Sequence, residues 1–399
     1  MTLASPQMTF SRQKIVSQSA TAATARDPRL DFFRGIAMFI ILVAHIPNDW
    51  LALWIPARFG FSDATEIFVF CSGMASAIAF GRVFRERGLT MGTARVGYRV
   101  WQVYWAHIGL FVAVAASMVA LNGLFPDGRD YVGQLNLYPF FKNAQTNLFG
   151  LLTLTYVPNY FDVLPMYLVI LAMMPVMVAL ARVHSFLAIG ASVAIWLAAN
   201  IWGLNFPAEP WSERGWFFNP LGWQLIFFTG FGFMAGWFRP PPVDWRLFWA
   251  AVAVTLIILP FSYYRIFNAF PFFLEWRREL GGLIGKTNFG ILRYIHFLAI
   301  AYIAWVLVGP KGSRIQPTGM SWPARSWRVI LRVIMKVGQQ SLAVFIASMY
   351  LARLLGALFD QVGRTHFSML YVNALGFALI IGVAYSAAWL KSQPWKVRV

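Results

Sequence analysis

Arg34 and His45 stand eleven residues apart in an apolar run that begins at Asp27 and ends at Pro47. On a helix of 3.6 residues per turn that spacing misses alignment by about 20°, so both side chains share one face about 16 Å apart. A guanidinium holds anions through paired N–H donors, and an imidazole exchanges protons near neutral pH. Asp31, three residues before Arg34, is placed to hold the guanidinium's geometry. After a short loop Glu66 opens the next apolar stretch at a depth similar to that of His45. A carboxylate there can fix one imidazole nitrogen and leave the other free as a base. It serves equally well as half of a structural ion pair joining two helices.

These residues need a helix to carry them, and the local chemistry supplies one. Asp27 is an N-cap, Pro28 suits the first helical position, and Pro47 stops the run. From 28 to 46 the helix is about 28 Å long, enough to cross a bilayer core. Ionisable groups inside such a helix cost several kcal/mol unless they face the bundle interior or a wet cavity, so this helix has a working face.

The rest of the chain is built for the same medium. Hydrophobic residues make up 59% of the 399, charged residues 12%, and mean hydropathy is +0.60. The composition excludes an ordinary soluble enzyme. The single cysteine, Cys71, excludes an internal disulfide and a multi-cysteine metal site and reads as a small core side chain. There is neither a phosphate-binding glycine-lysine loop nor a metal-ligand spacing.

Residues 1–27 read as a disordered cytoplasmic tail without a signal-peptide core. Residues 28–399 read as one membrane domain. Apolar spans near 28–46, 63–81, 100–122, 160–181, 185–203, 219–238, 247–264, 288–309, 337–358 and 368–390 predict an all-α bundle of about ten transmembrane helices. Residues 146–158 form a candidate re-entrant piece. With both termini in the cytoplasm, the inner segments, among them the basic loops 82–99 and 311–336, hold 22 Lys and Arg, and the outer segments, Lys286 among their charges, hold nine. That bias obeys the positive-inside rule, so most of the formal charge of +18 reports topology and not nucleic-acid binding.

Further polar groups lie at or within the spans. Asn159 and Asp162 open the fourth, between Pro158 and Pro165; Asn219, Trp223 and Gln224 open the sixth; Arg293 and His296 sit one turn apart on the eighth. Tyr131, Tyr138, Trp211, Trp216 and Trp276 in the outer loops suit an interfacial aromatic belt or stacking on sugar rings. His107, His184 and His366 read as helix-end residues.

The Arg34–His45 pair resembles the first-helix signature of the acyltransferase-3 superfamily. Longer blocks narrow the match: Arg-Leu-Asp-Phe-Phe-Arg-Gly (29–35), Phe-Gly-Phe-Ser-Asp-Ala-Thr-Glu-Ile-Phe-Val-Phe-Cys-Ser-Gly (59–73) and Tyr-Val-Pro-Asn-Tyr-Phe-Asp-Val-Leu-Pro-Met-Tyr (156–167) are similar to the OpgC family. So are residues 218–225, 292–299 and 338–345, and the resemblance runs from Asp27 to the C-terminus.

That resemblance implies a bacterial inner-membrane enzyme that transfers succinyl groups from succinyl-CoA to osmoregulated periplasmic glucans. Acyl-CoA would be a co-substrate, with no tightly bound cofactor and no metal, and the partners would be the lipid bilayer, acyl-CoA and the periplasmic glucan. Coenzyme A combines anionic phosphates with a flexible thioester arm, which suits Arg34 and Asp31 at the inner end and His45 as general base, beside Glu66, further out. Arg95 and Arg99 would assist with the phosphates or else meet lipid headgroups. Asn159, Asp162, Asn219, Trp223, Gln224, Arg293 and His296 are the candidates for the acceptor or acyl group. Arg293 would bind the succinyl carboxylate or, equally, neutralise Asp162 or Glu66. A transporter of glycans or organic anions, an O-acetyltransferase of another polysaccharide and a structural membrane subunit are the competing expectations.

Overall fold

The computed structural model describes residues 27–396; the tail assigned to residues 1–27 lies outside them but for Asp27. Among the described residues the chain is helical without strands, and one isolated bridge pairs Pro207 with Gly215. Ten long helices follow in order: α1 Pro28–His45, α2 Ala64–Leu124, α3 Val163–Val183, α4 Ser185–Ile201 and α5 Pro220–Ala235, then α6 Trp245–Ser262, α7 Ile291–Val308, α8 Trp322–Gln339, α9 Ser341–Val362 and α10 His366–Ser392.

Six of them (α2, α3, α6, α7, α9 and α10) are long and apolar enough to cross a membrane. Their outer faces carry exposed Trp, Leu, Phe and Val that water would penalise and lipid would not. The chain is a multi-pass membrane protein. The other predicted spans fall on α1, which holds Arg29, Asp31 and Arg34, and on α4 and α5, with 17 and 16 residues.

Two expectations are corrected. The basic segment 82–99, taken as an inner loop, continues the helix, because arginine is a good helix former and nothing but a glycine interrupts the run. At Gly88, with φ 81° and ψ 179°, α2 breaks into arms 64–87 and 89–124. The second correction concerns 311–336, also taken as a loop. Most of it forms α8, with Arg325, Arg328, Arg332 and Lys336 along one stripe, while the following span begins only at Ser341. Residues 146–158 divide into a short helix, Ala144–Thr153, and a buried extended stretch whose Val157 amide donates to Ala208 O at 2.8 Å.

Reciprocal glycines hold α1 in place. A Cβ on Gly35 would strike the Ile334 carbonyl, and one on Gly338 the Asp31 carbonyl, so α1 and α8 touch backbone to backbone. Gly73 and Gly230 do the same for α2 and α5 against the carbonyls of Phe227 and Phe70. Around these seams lies the main core, which includes Met38, Leu42, Phe84, Phe111, Trp223 and Phe227.

Candidate active site

α1 starts as its sequence demands, with the Asp27 carboxylate accepting from the Arg29 amide at 3.0 Å, and it ends at His45. The Ile41 carbonyl lies 2.7 Å from His45 Nδ1. A carbonyl can only accept, so Nδ1 carries the proton and donates, which leaves Nε2 as the basic nitrogen of the neutral ring.

His45 lines a cavity of about 260 Å³ together with Thr65, Tyr160, Asp162 and Lys286. Phe68, Phe217, Phe218 and Phe345 add apolar walls. Tyr160 presents itself to the imidazole at 5.6 Å between ring centroids, its plane turned by 73°. Its backbone has φ 88°, a region that costs a non-glycine residue strain and that recurs at functional sites. Two contacts hold it there: the phenol donates to the Met349 carbonyl, and the Arg353 guanidinium sits 3.9 Å from its ring centroid.

A cluster of four charges reaches this cavity through Lys286. Lys286 Nζ meets Asp63 at 2.5 Å, and Arg293 meets Glu66 at 2.6 Å and Asp63 at 4.0 Å. Asp63 and Glu66 also form the capping box of α2, with Glu66 accepting from the Asp63 amide at 2.7 Å and Asp63 from the Thr65 amide at 2.7 Å. Two carboxylates thus face two cations, and the cluster is neutral as a whole.

Several expected placements change. The Glu66 carboxylate goes to Arg293 and to its own helix cap, and the group that fixes the His45 tautomer is the Ile41 carbonyl. Of the two expectations for Arg293, the ion pair with Glu66 is the one the structure forms. His296 is clasped by Ser62, whose amide donates to Nδ1 at 3.1 Å and whose hydroxyl lies at 2.7 Å. Asn219 caps α5 and bonds Leu204 O and Asn288. Trp223 donates to Lys286 O at 2.8 Å, and Gln224 pairs with Ser192. Asn219 and Trp223 tie the connection that precedes α7 to α5 and so hold Lys286 at the cavity, while Gln224 ties α5 to α4.

Asp162 is brought to the cavity and accepts from the Phe217 amide at 3.3 Å. Asn159 stands at the surface, where Arg214 donates to it at 3.0 Å. At the other end of α1, Asp31 is buried and accepts from Gln339 at 3.2 Å, while Arg34 donates to the Ser341 hydroxyl. Arg95 and Arg99 ride on the second arm of α2, the first exposed and the second bonded to Gln102 at 3.2 Å. Cys71 is buried, as a core side chain should be. His107 corrects another expectation, because it lies buried in mid-helix and not at an end. Among the loop aromatics, Tyr131 and Trp216 are buried in the protein.

Sequence reasoning missed Tyr160, Lys286, Thr65 and Arg353. Tyr160 lay within the quoted 156–167 block, but its strain is invisible before folding. Lys286 was counted among outer-loop charges, and only Trp223 and Asp63 give it a place.

Searches of curated proteins and of solved structures return no significant match. A family model described as OpgC protein matches residues 26–392, nearly the whole chain. The chain therefore belongs to the OpgC family, and membership implies an acyltransferase of glucan modification.

Proposed function

We propose that the chain moves a succinyl group from cytoplasmic succinyl-CoA to a hydroxyl of a periplasmic glucan, within the bacterial inner membrane. The observation that carries this is the His45 imidazole, anchored through Nδ1 to Ile41 O, on the wall of a cavity large enough for an acyl group. Nε2 takes the proton of the sugar hydroxyl as its oxygen attacks the thioester carbonyl. The tetrahedral intermediate collapses, the C–S bond breaks, and the imidazolium returns its proton to the departing thiolate. Products are the succinyl ester and free coenzyme A, with His45 restored.

A succinyl donor brings a carboxylate that needs a cation in a poorly hydrated place. Lys286 is the choice for that role because it lines the cavity and Arg293 does not, and the donor's carboxylate would share its ammonium with Asp63. Asp31 and Arg34, with Arg95 and Arg99 along α2, are proposed to receive the anionic end of coenzyme A. The topology that delivers it has both termini inside and ten crossings: α1, the two arms of α2, α3 to α7, α9 and α10. The striped α8 then lies along the inner interface, where Lys and Arg meet anionic lipid.

His45→Ala tests the proposal. Purified in folded form, it should transfer succinyl to glucan about 10²–10⁴-fold more slowly than wild type, the usual contribution of a general base. Transfer at the wild-type rate, measured by mass spectrometry of the glucan, would remove His45 from the chemistry. Acetyl as the preferred group would replace the succinyl assignment while keeping the base.

A further inference from the structure

A second cavity, of about 380 Å³, opens where the chain leaves α1, and Asn48, three residues past His45, is part of its lining. It also presents Trp50, Arg364 and His366, none of which belongs to the site described above. Trp50 packs on His366 with 4.4 Å between ring centroids, yet 46% of it stays exposed. Asn48 adopts φ 54°, turning the chain from the helix end into the short turn Trp50–Leu53. The rim is braced by Arg364, which donates to the carbonyls of Pro47 at 2.8 Å and Asn48 at 3.3 Å and pairs with Asp360 at 2.6 Å. Asp360 pairs in turn with Arg129 at 3.1 Å.

What this leaves for a ligand is specific in character. The Arg364 guanidinium is committed to Asp360 and two carbonyls, so the surface offers an aromatic face and the polar edges of Asn48 and His366. An anionic headgroup would ask for an uncommitted cation. A pyranose ring asks for the opposite combination: its C–H face is apolar and its rim carries hydroxyls that both donate and accept. An aromatic plane flanked by planar polar groups meets both demands.

We propose that this cavity is a carbohydrate subsite, in which one sugar ring of the acceptor stacks on Trp50 and hydrogen-bonds to Asn48 and His366. Three residues of chain separate Asn48 from His45, a span of at most about 11 Å even if fully extended. An oligosaccharide held at Trp50 can therefore offer a neighbouring unit to the His45 cavity. That the sugar is a glucan rests on the acyl-transfer assignment; the stacking surface does not.

The test uses the full chain in detergent, with calorimetric titration of α- and β-linked gluco-oligosaccharides and mannitol as a control. Trp50→Ala should weaken oligosaccharide affinity about tenfold, the scale of a lost aromatic contact. The acceptor KM should rise by the same factor, while kcat and acceptor-free hydrolysis of acyl-CoA stay unchanged. Trp50→Phe should recover most of the loss. Should Trp50→Ala not fold, His366→Ala is expected to weaken the same titration with unchanged acyl-CoA hydrolysis. Equal affinity and equal KM in a folded Trp50→Ala protein overturn the subsite, whether or not transfer occurs. Trp50-dependent sugar binding without any acyl transfer would instead uphold the subsite and refute the acyltransferase assignment.

Discussion

The two ends of α1 both carry buried polar groups, yet they are built in contrary ways. At the Asp31 end the helix is pressed onto α8 through Gly35 and Gly338, and Gln339 and Ser341 are among the partners of its polar groups. At the His45 end an open volume of about 260 Å³ lies beside a cluster of four paired charges, which reaches it through Lys286. Backbone contact through glycine gives rigidity and leaves no space. An open volume needs walls that do not collapse, and here they include Tyr160, braced by Met349 and Arg353, and Lys286, held by Asp63. Reacting atoms need the second kind of place.

The largest effect outside catalysis should come from breaking the charge cluster. Arg293→Gln leaves Glu66 buried without its cation, which costs about 3–5 kcal/mol. Thermal unfolding in detergent should show the loss with any acyl donor alike, and Glu66→Gln in the same protein should restore most of it. Full stability in Arg293→Gln would mean that Glu66 does not need this cation.

At the opposite end the same comparison predicts failure by overpacking. Gly338→Val places side-chain atoms in the path of the Asp31 carbonyl, and forced methyl groups in a close-packed seam typically cost about 1–3 kcal/mol. A melting temperature equal to wild type would show that α8 can slide away, and the rigid end would not be rigid.

Arg34→Ala should act on the donor more than on the fold. The lost charge-assisted contact is expected to weaken succinyl-CoA binding by about 1–3 kcal/mol in a calorimetric titration. Arg34→Lys separates charge from shape, since it keeps the first and loses the planar fork. Unchanged affinity in both variants would take the donor away from this end of α1.

The smallest effect lies in the loop that supplies Phe217 to the cavity wall. Partial burial works against ionisation of Glu209, but the Ser212 hydroxyl and the Arg214 guanidinium outweigh it and hold its carboxyl below the usual range. A carboxyl depressed on folding adds stability above its unfolded pKa and loses it as pH falls through the folded value. Melting temperature should therefore drop on acidification below about pH 4.5, near the ordinary glutamate value. Glu209→Gln should flatten that part of the curve, and an identical pH profile would show that the loop is held by Arg214 and Asn159 alone.

Much was legible before folding because it is written locally. The N-cap and proline of α1 and the apolar lengths are set by nearby residues, and they appear where the residue types place them; the capping box Asp63–Glu66 is equally local but was not among the expectations. The loop at 82–99 misled because charge was taken as a sign of irregular structure, although arginine is content in a helix. The partners of Glu66 and Arg293 were among the alternatives, but choosing between them needed the register of α7 against α2. Trp50 attracted no notice, since an isolated tryptophan near a helix end looks like any interfacial anchor.

By itself, then, the sequence determined the medium, most of the helices, the cap of α1 and the family, because periodicity and composition act over a few residues and survive without a partner. Only the tertiary structure decided which charges meet. Arg293 reaches across from α7 to Glu66, Lys286 is held at the cavity by Asp63 and Trp223, and Tyr160 is strained against His45. Inside a membrane an ionisable group must find a partner or a cavity, and which one it finds depends on how helices far apart in sequence are packed.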